Sequence, residues 1–563
     1  MNKNIRFIVA IVVIILSNQS NLLAQSLQVG AVTEDYYRRA QLLGKADTNV
    51  SFTVRPIFPK LSETQPLDTF FPDPNEVREP STDGHWKSAG GKLTIDALPI
   101  SINTQINSHH PYGWNDGPMI PAKGFQTVIS GGIFAKQGIV TVQFKPEIIA
   151  AVNSPFDNLN NKQSEIIFAR YYDVYNNIDL PMRFGNDLYG KIYWGQSSIR
   201  LNFKALSAGI STENLWWGPG IRNSLLMSNN APGFPHLTLN TSRPVKTSIG
   251  SFEGQLISGK LSNSNYAPLT PDKYYFGNNL YVPKPDNWRF ITGAIVTWQP
   301  KWVPGLFLGV SQVQQMYGNN VSGITDYLPL FLPFSSNSAP DEALRKKDQI
   351  TSGFMRWLWT KEHAEVYFEF GHYNNSKNLT QSFLSPNTSR AYTFGLRKMI
   401  PFGKATDENI LIGVEVTQLQ ENSVAKVRAG NEWYVSKSIR QGYTNYGQVL
   451  GAGIGPGGNI QSLNVSWVKG LKRLGIQLER YVHDNDVYYY IFYDSGDYSR
   501  HWVDLSAAVS GEWNYKNFIF SGKLQAINSL NYQWYTKVPN DILFNNGVNA
   551  FNFHMQLGAI YRF

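Results

Sequence analysis

Phe551-Asn552-Phe553-His554-Met555-Gln556-Leu557-Gly558-Ala559-Ile560-Tyr561-Arg562-Phe563 is the stretch whose reading decides the fold. Every odd-numbered position is apolar. The even positions are Asn, His, Gln, Gly, Ile and Arg, and only Ile560 breaks the alternation. A period of two places one set of side chains on each face of a β-strand. The run exceeds the roughly 9–11 residues that a membrane-crossing strand needs. Its apolar face carries no charge, as lipid requires, since a Lys or Arg there costs about 2–4 kcal/mol at the bilayer midplane. Taken alone, the stretch fits a half-buried strand of a soluble β-sandwich equally well.

The other end of the sequence separates the two readings. Lys3 and Arg6 precede an apolar run from Phe7 to Leu16, and Ala24 follows a short polar stretch. This pattern predicts a secretory signal peptide over residues 1–24. The apolar run falls short of the roughly 20 residues of a spanning helix, and no later segment supplies that length. An exported chain without such a helix can enter a membrane only as a closed barrel, because an open sheet edge leaves backbone groups unpaired in lipid. Charged residues make up 16% of the chain, against about 25% in soluble domains. Aromatics reach 14%, in keeping with the girdles of membrane barrels. There is no cysteine, hence no disulfide and no lipid-anchored N-terminal Cys. The formal net charge is +9, and loss of Lys3 and Arg6 lowers it by two. That surplus suits an anionic partner such as an acidic polysaccharide or lipopolysaccharide phosphates, or it sits in loops and turns without a role.

Three regions are expected: the signal peptide (1–24), an N-terminal periplasmic segment (25–91) and an all-β transmembrane antiparallel barrel (92–563). In the second, Val32, Tyr36, Ala40 and Leu43 recur at helical spacing. Thr33 can cap this helix, Glu34 and Asp35 fall in its first turn, and Gly44 can end it. Residues Ser51 to Ile57 read as a strand, and Glu63 to Asp83 as an irregular connector. Beyond Lys92, alternation recurs. Val140, Val142 and Phe144 face one way, with Thr141, Gln143 and Lys145 the other. Val366, Phe368 and Phe370 oppose Glu365, Tyr367 and Glu369. Leu474, Ile476 and Leu478 oppose Gly475, Gln477 and Glu479. Polar sets that include acids and arginine suit a hydrated lumen. The length allows roughly 16–20 strands, with Gly318 to Gln349 the longest loop.

The densest local sequence is Glu213-Asn214-Leu215-Trp216-Trp217-Gly218-Pro219-Gly220, followed by Arg222-Asn223. Adjacent tryptophans on a strand point to opposite faces, so one must face inward or lie in a loop. Rings beside amide, carboxylate and guanidinium groups can bind a sugar by stacking and hydrogen bonding. They can instead anchor a loop or plug inside the lumen, and the sequence favours this second reading. Tyr443 and Asn445 sit in a second such stretch, Gln441 to Gln448. The candidate polysaccharide contacts are therefore Glu213, Asn214, Trp216, Trp217, Arg222, Asn223, Tyr443 and Asn445. Gly453, Gly455 and Gly458 formally satisfy GxGxxG, but the alternating Leu463, Val465 and Trp467 announce a strand where a dinucleotide site needs a helix. Gly254 to Lys260 resembles a phosphate loop but has Leu261 in place of Ser or Thr. His109-His110 lack metal spacing, and His483, Asp484 and Asp486 fit a turn better than a divalent ion site. No HExxH or GxSxG occurs. No cofactor, metal or nucleic-acid partner is expected, and no catalysis.

Glu213 to Ala231 resembles the signature of the Wzi-type capsule assembly family of outer-membrane proteins, in Trp-Trp-Gly-Pro-Gly and in Leu225-Leu226-Met227-Ser228-Asn229-Asn230-Ala231. Similar stretches are Pro111 to Gly117, Ser389 to Leu396, and Glu432-Trp433-Tyr434 through Gly442-Tyr443-Thr444-Asn445. The resemblance covers roughly His85 to the end of the sequence. It implies a barrel of about 18 strands closed on its periplasmic side by an N-terminal helical segment. It also implies a non-catalytic outer-membrane protein that binds capsular or other surface polysaccharide and helps attach it to the cell; a single chain surrounded by outer-membrane lipid is the expected unit. Members of that family can carry a several-helix bundle before the barrel, whereas this sequence shows one helix and one strand. A diffusion porin or sugar channel, and a barrel hydrolase, remain as the competing functions.

Overall fold

The structure, a computed structural model, describes residues 25–59, 69–76, 84–159, 163–322, 324–327, 346–373, 389–403, 407–421, 432–492, 501–534 and 548–563. The expected signal peptide lies outside them, as do most of the connector and the centre of the 318–349 loop.

Eighteen antiparallel strands close into one barrel. The first six are β1 (Leu93–Asn107), β2 (Gly124–Gln137), β3 (Val140–Phe144 and Glu147–Ala151), β4 (Tyr189–Tyr193 and Ser198–Phe203), β5 (Leu206–Ser211) and β6 (His236–Thr241 and Val245–Thr247). Next come β7 (Gly250–Leu261), β8 (Arg289–Pro300), β9 (Leu306–Tyr317), β10 (Asp348–Trp359), β11 (Ala364–Tyr373) and β12 (Arg390–Pro401). The last six are β13 (Glu408–Gln418), β14 (Asn459–Lys469), β15 (Lys472–Val482), β16 (Val503–Tyr515), β17 (Phe518–Leu530) and β18 (Ala550–Tyr561). The stretch that opened the argument closes the cylinder: β18 pairs with β1 from His554 against Asn107 to Tyr561 against Ile100. Its faces are those the alternation requires. Phe551, Phe553 and Leu557 are exposed on the outside, while Asn552 and His554 are buried within. Strand β11 repeats the arrangement, with Phe368 outside and Glu365, Tyr367 and Glu369 buried inside.

Turns at one end are short, as between Gln137 and Val140, Lys469 and Lys472, or Tyr515 and Phe518; at the other end they span tens of residues. In this architecture the short turns are periplasmic and the long loops extracellular. Exposed Trp302, Phe402, Trp513, Tyr515 and Phe518 cluster near the short-turn rim, where aromatic rings sit between hydrocarbon and water.

The N-terminal segment lies in the periplasmic half of the lumen. Helix α1 (Val32–Leu42) ends as expected, with Gly44 at φ +68°. Two expectations are corrected. The N-cap is Ala31 and offers no side-chain bond, so Thr33 lies inside the helix. The buried face is also not simply apolar: Glu34, Arg38, Arg39 and Gln41 are buried along with Tyr37, Ala40 and Leu42. This helix packs against a polar luminal wall, so its inward side is charged. Ser51 to Ile57 keeps only a two-residue strand, Val54–Arg55, because Phe52 turns to φ +55°. That strand pairs with Trp216–Trp217. Two helices not expected from the sequence, α2 (Glu165–Tyr175) and α3 (Asn485–Phe492), pack together among the long loops.

Candidate functional site

Three guanidinium groups meet one carboxylate where the plug touches the wall. Glu365 of β11 pairs with Arg356 at 2.6 Å, Arg38 of α1 at 3.0 Å and Arg397 of β12 at 3.6 Å. Arg38 also donates to the Pro219 carbonyl at 2.8 Å. Arg55 pairs with Glu34 at 3.0 Å and donates to the Gly220 carbonyl at 2.9 Å. Asp35 is held by Arg39, Arg397 and Arg473 at 2.8, 2.9 and 3.3 Å. Burial opposes its ionisation, but Arg397, Arg39 and Arg473 outweigh burial and keep the carboxyl below its ordinary range.

The Trp-Trp-Gly-Pro-Gly run is the other half of this lock. Trp217 is fully buried and donates from Nε1 to Gln255 of β7 at 2.9 Å. The Arg55 guanidinium lies 4.5 Å from the Trp216 ring centre, a cation–π contact. Gly218 sits at φ +115°, and a Cβ there would stand 2.8 Å from the Glu369 carboxylate. Past Gly220, the backbone N–H groups of Ile221, Arg222 and Asn223 all donate to Glu415 of β13, at 2.8 to 3.1 Å. A wall carboxylate thus binds a loop nest. Arg222 itself pairs with Glu479 of β15 at 2.6 Å.

Of the two readings of the Trp-Trp pair, these contacts fit the anchor of an inward loop. Trp216, Trp217, Glu213, Asn214 and Asn223 are all buried in this seal, with Glu213 paired to Arg200. Tyr443 and Asn445 are buried too, donating to the carbonyls of Leu226 and Pro232 at 2.9 and 3.0 Å. Of the eight candidates only Arg222 keeps partial exposure, its side chain 30% accessible. It borders a mixed-charge luminal chamber of about 480 Å³ beside the plug, together with Asp116, Lys523 and Arg473. The glycine-rich 451–459 stretch leads into β14, and Gly254 to Lys260 lies within β7, so neither binds phosphate as a loop before a helix.

A different cluster faces the extracellular side. A cleft of about 220 Å³ lies among the long loops, walled by Trp114, Tyr481, Trp502, Tyr532 and Trp534. Trp502 stacks on His483 with ring centres 3.7 Å apart and an interplanar angle of 9°. Tyr532 and Trp534 stand edge-on to Trp502 at 5.2 and 5.6 Å. His483 Nε2 lies 2.7 Å from the Asp504 carboxylate. His110 tilts over Tyr532 at 4.6 Å, and burial pushes its pKa down to about 4. Asp484, expected in a turn, accepts the Val487 N–H at 3.2 Å at the start of α3. Around it, burial pushes Glu421 up to about 7 and raises Asp484. Burial, and then the charges of Asp484 and Asp486, hold Glu432 well above its ordinary value. Sequence reasoning missed this cleft. Several lining residues, His110, Pro111 to Trp114, His483 and Asp484, stood in stretches noted from the sequence without being joined into a site, and His501-Trp502 and Tyr532-Gln533-Trp534 lie at strand ends on the long-loop side.

Greased outside, charged and filled inside, and sealed by its own N-terminal segment, the molecule is a plugged outer-membrane β-barrel. The sequence pattern of the family described as Capsule assembly protein Wzi matches residues 183–543, and the chain belongs to that family. Among solved structures it is similar to Wzi of Escherichia coli, described as an outer-membrane, carbohydrate-binding β-barrel involved in group 1 capsule assembly. Identity is 12%, coverage 96% of this chain and 100% of that one, and the TM-score 0.58. OccAB1 of Acinetobacter baumannii (9% identity, 82% and 96% coverage, TM-score 0.37) and OprD of Pseudomonas aeruginosa (8%, 83% and 92%, 0.35) are too distant in shape to carry an argument. A comparison with curated protein sequences gives no match.

Proposed function

We propose that this barrel binds a surface polysaccharide in its extracellular aromatic cleft, without catalysis, and helps hold that polymer on the cell. In this reading residues 25–91 act as the periplasmic plug, 92–563 form the barrel, and one chain surrounded by outer-membrane lipid is the working unit. The observation that carries the proposal is the cleft: the half-buried rings of Trp114 and Trp502, backed by buried Tyr481, Tyr532 and Trp534, lie around His110, His483 and Gln448 at the cell-facing end. Apolar sugar faces stack on such rings while hydroxyls bond the polar groups. The carbohydrate-binding description of the E. coli barrel agrees in kind. The Trp216–Trp217 loop is assigned to sealing, which speaks against a porin.

The test is capsule retention by cells carrying Trp502→Ala or Trp114→Ala. Loss of one stacking ring, about 0.5–1.5 kcal/mol beyond its buried area, should weaken binding by up to about tenfold and release polymer into the medium. The heat-modifiable barrel should persist. Full retention in both variants would overturn the assignment.

A further inference from the structure

We propose that the outside of the barrel holds one molecule of lipopolysaccharide, with acyl chain in a trough over β4 to β7 and phosphate on lysines at the cell-facing rim. This site is separate from the glycan cleft and does not depend on it. An apolar trough of about 600 Å³ crosses the lipid-facing side of these four strands, within the roughly 300–1,000 Å³ of ligand sites. Side-chain size makes it. Ala208 of β5 lies between exposed Leu201 and Leu239 of the flanking strands. Ser258 of β7 lies opposite exposed Leu237. Two small residues among leucines leave a hollow in the wall.

One bank of the hollow is Tyr327, on the loop between β9 and β10. Its exposed ring stands edge-on to Phe290 of β8 at 5.3 Å, and its carbonyl lies 3.2 Å from Thr292 Oγ1. This loop therefore reaches down the outside of the wall. The level of the trough follows from β7, which climbs from Gly250 at a periplasmic turn to Leu261 at the cell-facing end. Leu256 is at mid-height and Ser258 is three residues below the end, so the trough lies in the outer leaflet.

Cations stand directly above it. Lys260 is exposed, two residues beyond Ser258 on the same outward face. Its Nζ is 5.8 Å from the ring centre of exposed Trp288, and such rings mark the boundary between hydrocarbon and headgroups. Lys260 pairs with Phe290 across the sheet, and Phe290 with Met316. One step beyond the Gln315–Asp348 pair, the same row reaches Lys347, which is paired with Asp326. Exposed Lys346 precedes it. Lysines thus flank Tyr327 at headgroup level.

The trough alone cannot choose a lipid, because every acyl chain is as apolar as the leucines around it. Charge can choose. A lysine near an anionic headgroup is worth about fivefold in binding. Lipopolysaccharide supplies both halves, acyl chains joined to a phosphorylated sugar, and it fills the cell-facing leaflet where the trough lies.

The experiment titrates the delipidated full-length protein in detergent, by native mass spectrometry, with bisphosphoryl lipid A, dephosphorylated lipid A and phosphatidylglycerol. One bisphosphoryl lipid A per chain should bind about tenfold or more tightly than either comparator. Lys260→Gln with Lys346→Gln should weaken it by about 25-fold. Ala208→Phe, which fills the trough from outside the lumen, should reduce it without changing the gel migration of the folded barrel. Equal binding of the dephosphorylated lipid or of phosphatidylglycerol overturns the assignment, as does binding unchanged in the lysine double variant or in Ala208→Phe, or no lipid A bound at all.

Discussion

Glu365 stands on the barrel wall fully buried, against Arg38, Arg356 and Arg397. One negative charge serving three positive ones makes the partners unequal. Removing Arg38 leaves the carboxylate with two guanidiniums, whereas neutralising Glu365 strips the paired carboxylate from both Arg38 and Arg356, with Arg397 keeping Asp35. Loss of one partner from a buried ion pair costs about 3–5 kcal/mol, mostly through the charge left behind. Glu365→Gln should therefore lower the temperature at which the folded barrel loses its fast gel migration, and by more than Arg38→Met does. The reverse order would show that the carboxylate does not organise the cluster. Trp217→Ala should be comparably damaging, since truncating a buried tryptophan costs about 3–5 kcal/mol; denaturant titration in detergent checks this. At this scale the sequence is least informative. Arg38 is visible on a helix, but its partner lies 327 residues further on, and nothing local joins them.

Elements were legible in proportion to how much one solvent dictates their pattern. Lipid dictates the outer face of every strand, so β11, β15 and β18 could be read directly from alternation. Helix α1 could be located from its spacing, acids and terminal glycine. Its buried side could not, because its surroundings are the charged lumen and not an oily core. Helices α2 and α3 were missed because their apolar residues, as in Tyr171, Tyr488 and Phe492, serve a small loop cluster, and α3, at eight residues, has too few turns to show a period. The carboxylates beside α3 carry a prediction. Burial raises Asp484, Asp486, Glu421 and Glu432 above their ordinary values. An acid whose folded pKa is raised favours the folded state most at low pH. That advantage fades as pH climbs from about 4, where unfolded carboxylates titrate, through the folded value of about 7 seen for Glu421. Amide exchange over Asn485–Phe492 should thus be better protected, after correction for intrinsic rates, at pH 5 than at pH 8. Glu432→Gln should flatten the difference. Unchanged protection across this range would show that these acids do not shape the corner.

For the whole molecule the question is whether an eighteen-strand cylinder conducts. A barrel of this size left empty would hold an aqueous channel, as 16–18-stranded porins do. Here α1 and the Trp216–Asn223 loop enter from different parts of the chain and bond each other through Arg38 and Arg55, whose guanidiniums reach the carbonyls of Pro219 and Gly220. Two insertions bonded in this way are expected to fill the space together. The sequence shows why both are needed only in outline: it supplies the apolar outside and the tryptophan pair, but whether those rings bind glycan or stop the lumen depends on contacts that alternation does not encode. Reconstituted into a planar bilayer, the intact protein should show no stable large openings. Deleting residues 25–59 removes α1, Arg38 and Arg55 together, leaves Glu365 to its wall partners Arg356 and Arg397, and should give steady openings. Those openings should be smaller than an empty barrel's, because the Trp216–Asn223 loop stays tied to Glu415 by three N–H bonds. Adding Glu415→Gln to the deletion should enlarge them. Large openings in the intact protein would mean that the lock does not close the lumen. A silent deletion variant that still migrates as a folded barrel would mean that the loop alone does.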